Sequence, residues 1–265
     1  MATFGFVGTG NMGGALARAV CKTVPAADVL LANRTPAKAE LLSAELGCPA
    51  MDNHTVCSTA DFIFLGVKPQ YMAQLFEDIG PVLAQRKDRF VLISMAAALT
   101  VSDLRARGCA DYPVIRIMPN TPCAVGEGTI FYVCDGTTPD EEQAFLSAMS
   151  GAGRLLPLSD HLMDAGSAVA GCGTAFADLF IEAVADGGVA CGLSRPMALE
   201  CAAQMLLGTG KLLLETGKHP GQLKDEVCSP GGATIQGIRK LEESGFRGAV
   251  INAVIAAFEQ SAKMK

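Results

Sequence analysis

Three glycines near the start of the chain have the spacing of a phosphate-binding turn. Residues Gly8-Thr9-Gly10-Asn11-Met12-Gly13 follow the apolar run Phe4–Val7 and lead into an Ala-rich segment. Between a strand and a helix, Gly8 permits a tight turn and Gly10 lets a pyrophosphate approach the backbone, while Gly13 lets the helix pack closely on the strand. The pattern predicts that residues 8–13 bind a dinucleotide.

A cation stands where the preference between dinucleotides is usually decided. In proteins that prefer NAD, an Asp or Glu about 20 residues past the turn binds the ribose hydroxyls. Here that place is held by Asn33-Arg34-Thr35-Pro36. Arg34 can pair with a 2′-phosphate and stack on adenine, and Asn33 can donate hydrogen bonds. The sequence therefore favours NADPH, with NADH as an alternative, unless Arg34 is an ordinary surface arginine.

Two loops are predicted at the carboxyl edge of a sheet, where ligands bind. The segment Val67-Lys68-Pro69-Gln70 follows the third apolar run, so that Lys68 is either a catalytic acid or a cofactor contact and Pro69 fixes the loop. The segment Met118–Pro122 follows the fifth run, and its two prolines are expected to hold Asn120 near the nicotinamide.

The third informative stretch lies far along the chain. The residues Ser229-Pro230-Gly231-Gly232-Ala233-Thr234 precede a predicted helix over Ile235–Glu243. The two glycines expose backbone N–H groups, and Thr234 lies at or just inside the start of the helix. Such a helix start binds small anions, so this loop is predicted to hold a substrate carboxylate, with a simple capping loop as the alternative.

These motifs need a scaffold in which strands and helices alternate. Strands are predicted at Phe4–Val7, Val29–Ala32, Phe62–Val67, Phe90–Ser94 and Val114–Met118, with further candidates at Thr129–Cys134 and Arg154–Leu158. The alternation predicts an α/β fold with a doubly wound parallel sheet over residues 1–160. From residue 161 to 265 the patterns are helical, which predicts a separate all-α domain.

Composition limits the partners and the compartment. Half of the 265 residues are hydrophobic and only 18% are charged, but charges interrupt the apolar runs before the ~18–20 residues of a membrane span. We therefore expect a cytoplasmic protein with no membrane contact, whose surplus apolar surface forms a dimer interface between C-terminal helices. A net charge of −6 argues against a nucleic-acid partner, and ten cysteines without C-x-x-C spacing predict free thiols and no metal site.

Together these motifs make the chain resemble the pyrroline-5-carboxylate reductase family over nearly its whole length. The resemblance depends on FxGxGNM at residues 6–12 and on the segments 67–70, 116–122, 229–234 and 241–247. It implies NAD(P)H-dependent reduction of the cyclic imine 1-pyrroline-5-carboxylate to L-proline, the last step of proline biosynthesis. It also implies a Rossmann-type domain followed by a helical dimerisation domain that interlocks with a second subunit, often in a pentamer of dimers.

The resemblance also implies roles for particular residues. Thr234, reaching the ring nitrogen, and Lys68 are the implied catalytic residues. The implied cofactor contacts are Gly8, Thr9, Gly10, Asn11, Met12, Gly13, Asn33, Arg34, Asn53, Val67, Lys68, Pro69 and Ala97. The implied substrate contacts are Asn120, Ser229, Gly231, Gly232, Ala233 and Thr234.

The sequence departs from the family pattern at three positions. Thr174 stands where the family commonly has proline, Phe176 where it has tyrosine, and Glu226 where a neutral amide is expected. The first two changes concern the first helix of the predicted dimerisation domain, and the third concerns a contact near the anion-binding loop.

Two other functions fit parts of the sequence. A β-hydroxyacid-type NADP dehydrogenase shares the two-domain layout, but the Lys and Asn that such enzymes carry after a glycine-rich turn are absent from residues 174–182. A non-catalytic NADPH-binding protein is the other alternative. The loop at residues 229–234 argues against it, because a cofactor sensor needs no carboxylate site.

Overall fold

The computed structural model describes residues 2–109 and 111–263, which form two compact units. The first unit holds the chain up to Gly171 together with the described residues from Phe258 onward, and the second unit is Cys172–Ala257. The domain boundary predicted at residue 160 precedes this division, and the segment between the two points lies in the first unit.

The first unit is built on a seven-stranded sheet with the order β2-β1-β3-β4-β5-β6-β7. The strands are β1 Phe4–Val7, β2 Val29–Ala32, β3 Phe62–Leu65, β4 Val91–Ser94, β5 Val114–Met118, β6 Gly128–Asp135 and β7 Gly153–Pro157. Strands β1 to β5 run parallel to one another and are buried along their whole length. The predicted doubly wound sheet is confirmed for these five strands.

Both faces of the sheet are covered, as their side chains show. Phe4 and Phe6 of β1 belong to one hydrophobic cluster, whereas Val7 belongs to a second cluster with Ile63 and Leu65 of β3. Because successive side chains of a strand point to opposite faces, continuous apolar strands need cover on both sides. The helices of this unit provide that cover; they are α1 Asn11–Val20, α2 Pro36–Leu46, α3 Asn53–Thr59, α4 Met72–Gln85, α5 Val101–Leu104, α6 Pro139–Met149 and α7 Met163–Gly166.

Strand β6 differs from the all-parallel expectation because it runs antiparallel to β5. Between these strands the chain makes only a short 3-10 turn over Thr121–Val125. A parallel partner would need a crossover of about a dozen residues or more, so the short connection imposes a hairpin-like return. Strand β7 then pairs parallel to β6 after the crossover through α6.

The second unit is helical, as predicted. It contains α8 Gly173–Ala190, α9 Arg195–Thr216, α10 Pro220–Glu226, α11 Ala233–Glu243 and most of α12 Phe246–Lys263. Within Cys172–Ala257, all of which the structure describes, the buried hydrophobic side chains are Ala185, Ala198 and Ala202. Large apolar side chains are exposed on the same helices, among them Leu179 at 66% and Ile251 at 53%. The unit therefore buries little apolar surface within itself.

Two helical stretches, Asp160–Ala190 and Arg195–Thr216, are long and apolar enough to cross a membrane by length and composition alone. About one tenth of each apolar window (11%) is buried inside the chain. Such a surface needs another apolar partner, which is either lipid or protein.

Candidate functional site

The glycine-rich turn lies at the carboxyl ends of three adjacent strands. Gly8 follows β1 and donates its N–H to the carbonyl of Ala32 at the end of β2 (2.8 Å), and Gly66 after β3 donates to the carbonyl of Val7 (2.8 Å). With β2 and β3 on opposite sides of β1, this edge is a topological switch point, where open α/β sheets bind ligands.

Two kinds of constraint explain the glycines of this turn. Gly8 has a φ of +104°, which side chains rarely adopt. A Cβ at Gly13 or at Gly66 would overlap the carbonyl oxygen of Gly8, so these two positions are glycine because backbone packs against backbone. A Cβ at Gly10 would have no protein atom within 4 Å. Packing within the fold therefore does not require glycine at position 10, and the open space beside it is available to a ligand.

The start of α1 has unpaired polar groups. Gly10 is the N-cap residue and supplies no side-chain cap to the first helical N–H groups. The neighbouring Thr9 hydroxyl is buried and has no hydrogen-bond partner among the described residues. Because uncapped N–H groups and the positive end of the helix dipole favour anions, this arrangement fits the pyrophosphate of a dinucleotide.

Asn33 connects the glycine turn to the second strand. Its Oδ1 accepts a hydrogen bond from the Thr9 N–H (3.1 Å), and its Nδ2 donates to the carbonyl of Thr35 (3.0 Å). The amide is thus used inside the protein. Asn33 holds the turn in place and presents the following residue, Arg34, at the edge of the site.

Seven of the predicted cofactor contacts line one cavity of about 400 Å³. They are Gly8, Gly10, Asn33, Arg34, Asn53, Val67 and Lys68. Lys38 and Tyr71, which no sequence motif singled out, line the same cavity. Lys38 lies in the first turn of α2, four residues past Arg34, and its charge so close to Arg34 in the sequence was the available signal.

Most of the charged residues in the wall of this cavity are cations. Arg34, Lys38 and Lys68 contribute positive charge, and none of them forms an ion pair with another described residue. Asp78 is the carboxylate in the lining, but His54 and Asn53 already bind its two oxygens (2.9 and 3.3 Å). The cavity therefore favours an anionic ligand.

His54 and Asp78 also border a second, adjoining cavity of about 630 Å³, shared with Asn33, Arg34 and Asn53. The hydrogen bond from His54 to the Asp78 carboxylate raises the pKa of His54 above its ordinary value. The two cavities share Asn33, Arg34, Asn53 and Asp78 in their walls.

The remaining predicted cofactor contacts lie in other surroundings. Thr9 and Asn11 line a smaller cavity at the start of α1, and Met12 packs against the hydrophobic core. Pro69 and Ala97 both line a separate cavity of about 450 Å³. Their cofactor contacts stay predictions.

Asn120 is buried (8% exposed) at the end of β5, and both ends of its amide are occupied. Nδ2 donates to the carbonyl of Ala170 (3.0 Å), and Oδ1 accepts from the N–H of Thr129 (2.9 Å). In this structure Asn120 fixes its own loop through these two hydrogen bonds. Its contact with a substrate stays a prediction.

The candidate carboxylate loop belongs to the second unit. The Gly232 N–H donates to the carbonyl of Ser229 (3.0 Å), closing a turn in which Gly231 has a φ of +70°. Helix α11 then begins at Ala233 without a side-chain cap, and Thr234 is exposed in its first turn. The free N–H groups at this helix start can bind a carboxylate, as predicted from the sequence.

Glu226, one of the departures from the family pattern, is hydrogen-bonded to residues within or just before its own helix. Its Oε1 accepts hydrogen bonds from Lys218 Nζ (2.8 Å) and Gln222 Nε2 (3.4 Å). The negative charge two residues before Cys228 is thus paired with a cation, which lessens its repulsion of an anion at the following loop.

Comparisons with known proteins agree with both halves of the chain. Residues 160–264 match the family model described as pyrroline-5-carboxylate reductase dimerisation. Residues 3–98 match the family described as NADP oxidoreductase, coenzyme F420-dependent.

Similarity to individual proteins extends over the whole length. The chain is 36% identical to a pyrroline-5-carboxylate reductase of Pisum sativum, covering 99% of this chain and 96% of the relative. It is 37% identical to one of Escherichia coli, covering 98% and 97%. A solved Plasmodium falciparum pyrroline carboxylate reductase with NADP bound is 29% identical, with a TM-score of 0.86 over 99% of this chain and 98% of that one. The chain therefore belongs to the pyrroline-5-carboxylate reductase family.

Proposed function

We propose that this protein reduces 1-pyrroline-5-carboxylate to L-proline with NADPH, completing proline biosynthesis. The observation that carries this proposal is the full-length similarity to reductases of that name. The geometry supports it because one chain contains an anion-binding glycine turn on a parallel sheet and a second uncapped helix start suited to a carboxylate.

The site residues support NADPH as the cofactor. Bound NADPH would supply the hydride that the imine carbon accepts. The uncapped start of α1 would hold the pyrophosphate, and Arg34 would pair with the 2′-phosphate. Lys68 lines the same cavity and would contact the cofactor or supply a proton. NADH lacks the 2′-phosphate and is proposed as the weaker of the two cofactors.

The chemistry asks little of the protein beyond orientation. A protonated cyclic imine is already electrophilic, so the enzyme has to align the imine carbon and hold the substrate carboxylate. The N–H groups of the loop from Ser229 to Thr234 would bind that carboxylate. The Thr234 hydroxyl would hydrogen-bond the ring nitrogen as it changes from imine to amine, directly or through water.

We propose that the active form is a homodimer made through the C-terminal helices, with assembly into a pentamer of dimers as the larger form. Support comes from the match to a dimerisation family and from the exposed apolar surface of α8, α9 and α12. Protein contacts would cover the two apolar stretches that could otherwise face lipid. A cytoplasmic location without membrane or nucleic-acid partners accords with this assembly and with the net charge of −6.

The test follows NADPH consumption with 1-pyrroline-5-carboxylate for the wild type, Thr234→Ala and the matched control Thr234→Ser. The wild type should turn over, the serine variant should keep much of the activity, and the alanine variant should lose about tenfold or more. Absence of turnover by a folded, NADPH-binding wild type would instead favour a cofactor-binding protein. A six-membered analogue assayed beside it reports the preferred ring size.

A further inference from the structure

Tyr71 lies in the cofactor cavity but belongs to none of the motifs on which the assignment depends. It ends the 3-10 turn Pro69–Tyr71 after β3 and is 40% exposed. Across the cavity, the guanidinium carbon of Arg34 lies 4.9 Å from the centre of the Tyr71 ring. This is the distance of a cation–π contact between residues that are far apart in sequence.

The contact restricts what Arg34 can do. A guanidinium on a flexible stem otherwise samples many rotamers, and an exposed arginine loses that freedom when it binds a ligand. The Arg34 guanidinium carbon lies over the Tyr71 ring, and this contact favours the rotamers of Arg34 that keep its charge at the wall of the cavity. Since Arg34 forms no ion pair with a described residue, its charge is available to an anion.

We propose that Tyr71 is a positioning residue that holds the Arg34 guanidinium for the 2′-phosphate and so strengthens the preference for the phosphorylated dinucleotide. The inference rests on the proposed use of NADPH. Tyr71 acts through Arg34, and its ring, not its hydroxyl, is the active part. Lys38 and Lys68 add to the positive potential of the cavity, but neither makes a cation–π contact with an aromatic ring among the described residues.

Binding of small cofactor fragments tests this without catalysis. Isothermal titration calorimetry with 2′,5′-ADP, which carries the 2′-phosphate, is compared with 5′-AMP, which lacks it. Tyr71→Leu should weaken 2′,5′-ADP binding about two- to fivefold, the range of an exposed cation–π contact, and leave 5′-AMP unchanged. Tyr71→Phe keeps the ring and should bind both ligands like the wild type.

A double variant separates positioning from direct contact. Arg34→Ala should weaken 2′,5′-ADP binding about ten- to a hundredfold, and adding Tyr71→Leu to it should change nothing more. Equal weakening of both ligands by Tyr71→Leu would overturn the inference, because Tyr71 would then contact the adenosine directly. A Tyr71 effect that persists without Arg34 would overturn it as well.

The outcome is independent of the reductase activity. If 2′,5′-ADP binding follows this pattern but 1-pyrroline-5-carboxylate is not reduced, the positioning role stands and the proposed reaction fails. If the reaction proceeds but Tyr71→Leu binds 2′,5′-ADP like the wild type, the positioning role fails and the proposed function stands.

Discussion

The glycine turn allows ligand binding to be separated from fold packing by two alanine substitutions three residues apart. At Gly10 the backbone is in an extended conformation that alanine adopts, and a Cβ meets no protein atom within 4 Å. Gly10→Ala should therefore keep or slightly raise stability, by up to about 1 kcal/mol, from a less flexible unfolded chain. For a domain of this size, the Tm should rise by no more than about 4 °C.

Gly13→Ala should have the opposite effect on stability. A Cβ there comes well inside 3.0 Å of the Gly8 carbonyl oxygen. The position of a Cβ is fixed by the backbone and the carbonyl oxygen is a backbone atom, so neither can rotate away. The gain in helix propensity, about 1 kcal/mol, is smaller than the cost of overpacking, which we expect at about 3 kcal/mol or more. The Tm should fall by roughly 6 °C or more.

Cofactor binding supplies the second readout for these variants. If the pyrophosphate approaches the backbone at Gly10, the added methyl group displaces at least one charge-assisted hydrogen bond, which contributes about 1.5–3 kcal/mol. The Kd for NADPH of Gly10→Ala, measured by fluorescence titration beside differential scanning calorimetry, should rise about ten- to a hundredfold. If Gly10→Ala binds NADPH like the wild type, the pyrophosphate does not approach the backbone at Gly10. If Gly10→Ala is strongly destabilised, the space beside Gly10 is not free, and the predicted separation of binding from packing is wrong.

Three further predictions concern stability, thiol chemistry and cofactor choice. Glu141, which binds Arg89 through both carboxylate oxygens (2.5 and 3.0 Å), has a lowered pKa, because burial, which raises it, is outweighed by the hydrogen bonds from Arg89 and Thr138. Its stabilisation is complete above its ordinary pKa of 4.5 and is lost as the pH falls through the lower folded value. Glu141→Gln should thus lower the free energy of unfolding in urea by about 1 kcal/mol at pH 7 and by almost nothing at the acid end of the transition. A difference from the wild type that stays constant with pH would contradict the ion pair. Burial raises the pKa of Cys57 to about 12, so iodoacetamide at pH 8 should modify it only after unfolding, and rapid labelling of the native protein, read by peptide mass, would contradict its burial. Arg34→Ala should raise the KM for NADPH more than the KM for NADH in steady-state assays, and equal effects would remove the 2′-phosphate contact.

Long apolar strands were the most predictable part of the fold, because burial on both faces leaves a continuous apolar run in the sequence. Helix α3 escaped prediction because its residues, from Asn53 to Thr59, are poor helix formers. Tertiary packing overrides that weak propensity: Val56 and Cys57 are fully buried in the core, and Asp52 caps the helix through the Thr55 N–H. Asp52, a residue type that commonly caps helices, was the signal in the sequence that could have predicted the start of α3.

The parts of the site that lie within one turn were predictable, whereas the contacts between distant segments were not. The spacing of the glycines from Gly8 to Gly13 is enough to predict the turn that they form. The contact between Arg34 and Tyr71 joins the ends of two different strands, and no local pattern records it. The hydrogen bonds of Asn120 to Ala170 and Thr129 were likewise not predictable, because these partners lie 50 and 9 residues away along the chain. Side-chain partners of this kind are set by tertiary packing.

In the proposed reaction, hydride passes from NADPH to the ring carbon of a bound cyclic imine. This transfer can be followed with NADPH deuterated at the transferred position and 1-pyrroline-5-carboxylate, with the product analysed by mass spectrometry and NMR. We expect L-proline with one deuterium at C5 for each NADPH consumed. NADPH consumption without labelled proline, or binding of NADPH with no proline formed, would contradict it.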